Sequence, residues 1–465
     1  MLCSQNTKPP KKKKGWAKFV VGCLIIGIAA GDSKFTDCHT TGDITITAGR
    51  EGRANDHYRV GGIAGGWADN VTTPCVLTGC SYTGEISGTN ADGSVASPLD
   101  YLGYVGRGYT LANRAGSKVI IDGITFVQKY NDKYGIYDVI DENGNIVVMT
   151  EADLADVFAN GGNAILFGDL ELNSVYTLAS GKTLVLDLNG KNISSTSTAT
   201  GTNYNLFDVR GNLTVKNGTI EIEHTGTNMG WGNSTNVFNV TAGGVLNIVD
   251  AEVNNLGGSD MGFVAHLNNW GEVTLNVENS VLTSNYVAVR VFNSGNDMNN
   301  VTIKNTTLKG ANYAFWVHNY TVADFGTQEK ADAQKALLNF DIFGNGNTFI
   351  AAKSAVRLGF TNEIFVDENG VEFIPVSTPE QLSKALAAGQ NVALTSDVEI
   401  TKIDLTSLAD DVVIDANGHK ITTASNYGIE ISAGKNVTVK NAEIVITVDG
   451  NYITYAAGIK INNGD

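Results

Sequence analysis

The sequence predicts an all-β protein built from stacked, repeated coils, that is, a solenoid. The first observation is composition: the 465-residue chain contains 53 glycines and only 6 prolines, and 17% of its residues are charged. This balance is typical of many short strands joined by tight turns, because Gly and Asn suit turns whereas Pro removes a strand donor. The second observation is self-similarity along the chain, which is typical of repeat folds.

Charge and cysteine usage restrict the partners. The formal net charge is −16, and a nucleic-acid partner is not expected because such binding requires a basic surface. The 5 cysteines lie at positions 3, 23, 38, 75 and 80, none with CxxC spacing, so neither a zinc site nor another metal is expected. Cys75 and Cys80 can pair locally, but the odd count makes disulfides optional.

Residues 9–31 have two interpretations. The basic stretch PPKKKKGWAK precedes an apolar run of 13 residues, FVVGCLIIGIAAG, which suits the core of a secretion signal and is too short to span a membrane. Residues 20–23 resemble a bacterial lipoprotein cleavage box, although little apolar sequence precedes Cys23. Alternatively, Val21 begins the first strand of a repeat, and residues 1–17 are a leader or the start of a fragment.

A glycine-rich repeat covers residues 18–126. VGCLIIGIAAG followed by CHTTGDITI is echoed by VGGIAGGWADN followed by CSYTGEISG, and a weaker third echo, LGYVGRGY, leads into VIIDGITF. Gly42 and Gly84 each follow their cysteine by four residues. This pattern resembles the GLUG repeat of bacterial surface proteins. The resemblance implies a β-solenoid stalk or an adhesive module and carries no catalytic motif.

A larger duplication defines two modules, at residues 136–360 and 361–465. Each opens with a hairpin around an ENG turn and continues into a helix. Thr150 with Asp153 and Thr378 with Gln381 predict capping boxes, and Gly161 and Gly389 end the two helices. The second module stops in mid-pattern, so we expect the chain to be a segment of a longer protein.

One short phrase recurs inside the modules. It is LTVKNGTI at 213, LNIVDAEV at 246, LNVENSVL at 275, VTIKNTTL at 301 and VTVKNAEI at 437. Each phrase predicts two short strands joined at an Asn or Asp whose side chain satisfies the backbone of the turn. Stacked coils would align these turn residues as a ladder of Asn217, Asp250, Asn279 and Asn305.

A third strand precedes each phrase, as in LFDVRGN, VFNVTAGG and VAVRVFN. Three parallel strands per coil resemble the right-handed parallel β-helix of the pectate-lyase-like kind, over about 330 residues. In that architecture an amphipathic helix covers the first edge of the solenoid. The fold class is therefore all-β, with tandem right-handed parallel β-helix modules behind Gly-rich β repeats. The segment from Thr321 to Leu338 breaks this rhythm and predicts a helix with Ala333, Ala336 and Leu337 on one side.

Catalytic motifs are absent from the sequence as recognisable sets. Nucleophile, metal-helix and phosphate-loop patterns do not occur. A glycosidase requires two carboxyl groups across the scissile bond, and the candidates here are Asp187, Asp208, Asp250 and Asp415. Asp187 and Asp415 occupy the same D-x-N-G turn of each module, so their simplest interpretation is a side chain that stabilises its own turn.

The first strand of each coil carries the remaining signal. Period-2 alternation points Phe207, Phe238, Phe263, Val287, Phe315 and their neighbours inward. It points the intervening side chains outward, and the candidates for glycan binding among them are Arg210, His266, Arg290, Trp316, His318 and Arg357. Arginine pairs with carboxylate or sulfate groups and tryptophan stacks on sugars, so this column is a candidate site for an acidic polysaccharide. The alternative is an ordinary solvated strand face.

Three functions are compatible with these observations. The first is a non-catalytic bacterial surface or secreted protein, an adhesin or glycan-binding stalk, without a cofactor and attached to a membrane only through an anchor that the sequence does not show. The second is a polysaccharide lyase or glycoside hydrolase that uses the outward column, with Arg290 and His318 as base and carboxylate-neutralising groups. The third is a structural spacer.

Overall fold

The structure is a computed structural model. It describes residues 34–47, 62–63, 75–84, 86–89, 118–129, 136–198, 200–226, 234–257, 261–405, 411–432, 436–447 and 456–462. Most of these residues form strands in parallel sheets, as expected for an all-β solenoid. The chain divides into two compact units, Met1–Met149 with Gly162–Phe167, and Thr150–Gly161 with Gly168–Asp465.

The strands of the first unit are β1 (Lys34–Thr36), β2 (His39–Thr40), β3 (Ile44–Thr47), β4 (Cys75–Thr78), β5 (Ser81–Tyr82), β6 (Ile86–Thr89), β7 (Lys118–Ile121), β8 (Ile124–Lys129), β9 (Ile136–Asp141), β10 (Ile146–Val148) and β11 (Gly162–Leu166).

The glycine-rich repeats of this unit stack as parallel coils. Strands β1, β2 and β3 pair with β4, β5 and β6, so that His39 lies beside Ser81 at an offset of 42 residues. A Cβ atom at Gly84 would overlap the carbonyl oxygen of Gly42, so glycine permits the close stacking of the two turns. Strand β7 continues the column beside β4. The signal-or-repeat segment 9–31 and the echo at Leu102 lie outside the described residues.

The cysteine expectation requires a correction. Cys38 is disulfide-bonded and Cys80 is a buried free thiol, so the local pair of Cys75 with Cys80 is wrong. Cys80 follows the turn at Gly79, where φ is +62°, and its Sγ donates to the carbonyl oxygen of Thr78 at 3.6 Å. Burial raises the pKa of this thiol, which is thus held in its protonated form.

In the second unit, the elements of the first module are α1 (Glu151–Asn160), β12 (Leu170–Leu172), β13 (Tyr176–Leu178), β14 (Thr183–Asp187), β15 (Asn192–Ser197), β16 (Tyr204–Val209), β17 (Asn212–His224), β18 (Thr235–Val240), β19 (Val245–Asn255), β20 (Gly262–Asn268), β21 (Val273–Glu278), β22 (Val281–Ser284), β23 (Val287–Phe292), β24 (Asn299–Lys304), β25 (Thr307–Gly310), β26 (Tyr313–Val317), α2 (Val322–Phe325), α3 (Gln328–Lys335), β27 (Leu338–Asp341), β28 (Thr348–Ile350) and β29 (Ser354–Leu358).

The second module contains β30 (Ile364–Val366), β31 (Glu372–Val376), α4 (Pro379–Ala387), β32 (Val392–Leu394), β33 (Val398–Ile400), β34 (Ile403–Leu405), β35 (Val412–Asp415), β36 (Lys420–Thr423), β37 (Tyr427–Ser432), β38 (Val437–Lys440), β39 (Glu443–Ile446) and β40 (Ala457–Asn462).

Three columns of parallel strands build the first module. One column runs β13-β16-β18-β20-β23-β26-β29, and the two others share the long strands β17 and β19. Leu213, Leu246, Leu275 and Val301 stack in register at the centre and are buried. Each such side chain contributes roughly 1.5–3 kcal/mol of hydrophobic free energy. The second module repeats the plan with columns β31-β32-β35-β38, β33-β36-β39 and β34-β37-β40.

The turn ladder between the strand columns is confirmed. Asn217, Asp250, Asn279 and Asn305 all adopt left-handed backbone conformations, with φ of +60°, +50°, +50° and +49°. Asn and Asp tolerate this region better than other residues with a side chain. Asn441 occupies the same turn of the second module, with φ of +55°.

Both predicted helix starts are confirmed as capping boxes. The Thr150 hydroxyl accepts from the Asp153 amide at 3.2 Å, and the Asp153 carboxylate accepts from the Thr150 amide at 2.9 Å. Thr378 and Gln381 repeat the arrangement. Phe158 of α1 stacks on Phe207 with ring centroids 5.1 Å apart, so the helix covers the interior of the first coil.

The helical segment after Thr321 is confirmed, and it forms the two short helices α2 and α3. Helix α3 buries Ala331, whereas Ala333 and Ala336 are exposed and Leu337 is only partly buried.

Candidate functional site

The outward residues of the first-strand column lie in one line across the sheet. Asp208 pairs with Asn239, Asn239 with His266, His266 with Arg290, Arg290 with Trp316 and Trp316 with Arg357. Parallel strands in register place the same face of successive coils together. The structure therefore brings four of the candidates into one line, His266, Arg290, Trp316 and Arg357.

The alternative of an ordinary solvated strand face is wrong for most of the candidate residues, which are buried. The relative exposure of His266 is 9%, of Arg290 6%, of Trp316 0% and of His318 8%. Arg210 at the other end does face solvent, with 51% of its side chain exposed, and it forms an ion pair with Asp208 at 2.7 Å.

The second module covers the buried part of the column. One hydrophobic cluster joins outward side chains of both modules, and its buried members are Met261, Phe263, Val287, Tyr313, Trp316, Phe365, Phe373 and Ala393. Asn417 of the second module also donates to the carbonyl oxygen of Lys353 at 3.0 Å. We call this contact the module joint. Phe263 and Val287, expected to point inward, are members of the cluster at this joint.

Arg290 lies at the centre of the column in an aromatic environment. Its guanidinium carbon lies 5.2 Å from the ring centroid of Phe263, 5.0 Å from that of Phe292 and 5.1 Å from that of Trp316. Its Nη2 donates to Nδ1 of His318 at 3.0 Å, since arginine has donors only. Burial lowers the pKa of Arg290 to about 10, so the side chain stays positively charged at neutral pH.

The two histidines of the column are neutral. Burial, reinforced by the nearby charge of Arg290, lowers the pKa of His318 to about 3. The same two causes hold the pKa of His266 well below its ordinary value. Both effects disfavour an added proton in an apolar environment that already holds a cation.

Arg357 completes the cluster at its rim. Its guanidinium lies 4.6 Å from the Trp316 ring and forms an ion pair with Glu363. Trp316 donates its Nε1 hydrogen to the carbonyl oxygen of Gly359 at 3.1 Å, and Phe360 stacks on His318 at 5.3 Å. The turn after β29 is thus fastened over the column. Phe292 was detectable from the same alternation as Arg290, whereas Phe360 and Glu363 carry no sequence signal because they lie in a turn.

The candidate carboxylates have structural partners. Asp187 accepts from the amide of Asn189 at 2.9 Å and from Nδ2 of Asn217 at 3.1 Å. Asp415 accepts from the amide of Asn417 at 2.9 Å and from Asn441 at 3.0 Å. The turn-stabilising interpretation of both residues is confirmed. Asp208 is engaged by Arg210 and by Asn239 at 2.7 Å, and Asp250 occupies the turn ladder.

Two further features bear on function. The described ranges contain no group of three or more His, Cys, Asp or Glu residues that could hold a metal ion. Within the same ranges, no helix combines the length and apolar character needed to cross a bilayer.

The stacked parallel coils with their turn ladders define the class of protein, a parallel β-solenoid. Comparison adds no relative to this class: no protein-family model matches the chain, and neither a curated protein nor a solved structure matches it at a significant level.

Proposed function

We propose that this chain is a non-catalytic extracellular or cell-surface protein, in which right-handed parallel β-helix modules of the pectate-lyase-like kind form a scaffold behind GLUG-like repeats. One observation carries the proposal: the Arg–His–Trp column is packed inside the module joint. Side chains suited to bind or cleave a polymer are used there to hold two modules together.

The partners of the candidate catalytic groups support this proposal. An eliminating enzyme requires a base in contact with its substrate, but Nδ1 of His318 already accepts from Arg290. A glycosidase requires one carboxyl group to give up a proton and a second to act on the sugar or on water. Asp187 and Asp415 each accept backbone and side-chain hydrogen bonds within their turns, which fixes the orientation of both carboxylates.

A turnover assay tests the proposal. The purified chain is incubated with pectate, alginate, hyaluronan and chondroitin sulfate, and unsaturated uronate products and new reducing ends are measured. We expect no product above the level of heat-denatured protein. Turnover by the folded chain above this level would contradict the proposal, and its loss in Arg290→Lys would place the activity in the column.

Glycan binding is a second candidate function, restricted to the exposed end of the column. Arg210 is half exposed, and Asp208, Asn239 and Asn268 form a hydrogen-bonded series beside it, with distances of 2.7 and 3.4 Å. Arginine next to amides suits an acidic sugar. On an array of uronic-acid and sulfated glycans, we expect any binding to be lost in Arg210→Ala. Binding that survives this change but disappears in Arg290→Ala/His318→Ala would place the ligand in the buried part instead.

A further inference from the structure

Arg290 carries a buried charge that the surrounding protein does not neutralise. Its relative exposure is 6%, and within the described part of the chain no carboxylate lies in ion-pair distance of it. Its neighbours include the rings of Phe263, Phe292 and Trp316, the neutral His318 and the titratable Tyr286. The nearby Arg357 is itself paired with Glu363. A buried charge without a counter-ion is costly, even where aromatic faces surround it.

Hydrogen-bonding positions beside this charge are also unfilled. The Nε hydrogen of Arg290 and both ring nitrogens of His266 are buried and have no hydrogen-bond partner among the described residues. The two residues are direct neighbours on adjacent strands, and His266 is nine-tenths buried. Buried donors are rarely left unsatisfied in native proteins, and such an exception indicates a missing ion or water.

We propose that Arg290 and His266 bind a compact monovalent anion inside the module joint. The anion accepts from Nε of Arg290 and from the N–H of neutral His266, and it supplies the missing negative charge. The rings of Phe263 and Phe292, which lie 5.6 and 6.4 Å from His266, exclude water and strengthen the interaction. The ligand class is a halide or a single carboxylate group, since both offer one negative charge and can accept from two donors on adjacent strands.

We therefore expect the stability of the module joint to depend on the concentration of the anion. Because the anion binds only where both strands are assembled, it stabilises the folded second unit by mass action. This role is independent of the proposed surface function, since a site sealed in the joint does not require a polymer to reach it.

The first experiment compares thermal unfolding of the full chain in sodium chloride and in sodium methanesulfonate at equal ionic strength and neutral pH. We expect the transition to rise with chloride by on the order of 2–4 °C more than with methanesulfonate. Arg290→Met and His266→Phe abolish this difference. Arg210→Met, which removes an exposed arginine of the same column, retains it. A sodium glucuronate series identifies the source: a larger, Arg290-dependent rise assigns the site to a sugar carboxylate, and a rise no greater than that in methanesulfonate assigns it to a halide.

The second experiment uses the unaltered chain and so does not depend on a variant that folds. Crystals soaked in sodium bromide are measured at the bromine edge. We expect an anomalous peak beside Nε of Arg290 and the ring of His266. Equal transitions in chloride, glucuronate and methanesulfonate, together with no peak at this position, overturn the proposal.

Discussion

Replacing Trp316 by alanine separates the structural from the ligand-binding role of the column. Trp316 is fully buried in the module joint, donates to the carbonyl oxygen of Gly359 at 3.1 Å and lies under the guanidinium of Arg357 at 4.6 Å. Truncation of a buried tryptophan costs about 3–5 kcal/mol. The lost hydrogen bond and cation–π contact place Trp316→Ala near the upper end of this range, at about 4–5 kcal/mol.

Trp270 provides the matched control. It is the same residue type in the same unit, but it is 63% exposed. Trp270→Ala is therefore expected to change the free energy of unfolding by no more than about 0.5 kcal/mol.

Urea unfolding followed by far-ultraviolet circular dichroism measures both variants. An exposed sugar-stacking tryptophan would behave as Trp270 does, because nothing in the folded chain depends on it. If Trp316→Ala and Trp270→Ala shift the transition equally little, the column is not packed between the modules and the argument from burial fails.

Three other outcomes are expected. Burial lowers the pKa of His318 to about 3 and that of His266 well below its ordinary value, so below pH ~6.5 the unfolded chain takes up protons that the folded chain does not. The free energy of unfolding is highest above that pH and falls as pH decreases towards the folded-state pKa values, by up to about 1.4 kcal/mol per pH unit for each histidine. Urea unfolding at a series of pH values between ~8 and ~5 should show a weaker pH dependence in His266→Gln/His318→Gln but not in His419→Gln. An unchanged pH dependence in the double variant would contradict the burial of the two histidines. Asn279→Ala is expected to cost about 1–2 kcal/mol and Asn279→Gly less, because Asn279 has a φ of +50° and only glycine enters this region freely; an equal loss in both variants would show that the side chain and not the backbone matters. Cys80 is buried with a raised pKa, so peptide mapping after alkylation should find it unmodified in the folded chain and modified in urea, and rapid labelling under native conditions would disprove its burial.

Local features of the fold were predictable from the sequence. Capping boxes depend on residues three positions apart, and the pairs Thr150–Asp153 and Thr378–Gln381 form as expected. The turn at Asn279 was also predictable from local sequence, since Asn tolerates the left-handed backbone region better than most residues with a side chain.

The composition of the candidate column was also visible in the sequence, because alternation identifies which side chains share a face. Its environment was not. Alternation predicts that the side chains of Arg290 and Trp316 point away from the interior of their own coil, but it does not predict which residues pack against them there. Arginine and histidine on an outer face suggested solvent, whereas Arg290 lies beside Phe263 and Trp316, which belong to one buried cluster with Phe365 and Phe373 of the second module.

The sequence by itself determined the repeat, the coil, the capped helices and the ladder of turn residues. Each of these depends on neighbours within one coil or on equivalent positions in successive coils. Both kinds of relation can be identified in a periodic sequence. Only the tertiary structure decided that the second module packs on the outer face of the first. That packing joins residues such as Lys353 and Asn417, which are 64 positions apart and belong to no common period. The sequence therefore predicted the outward column as a line of side chains. It did not predict the burial of the column, because that burial depends on a contact between two modules that the repeat pattern does not specify.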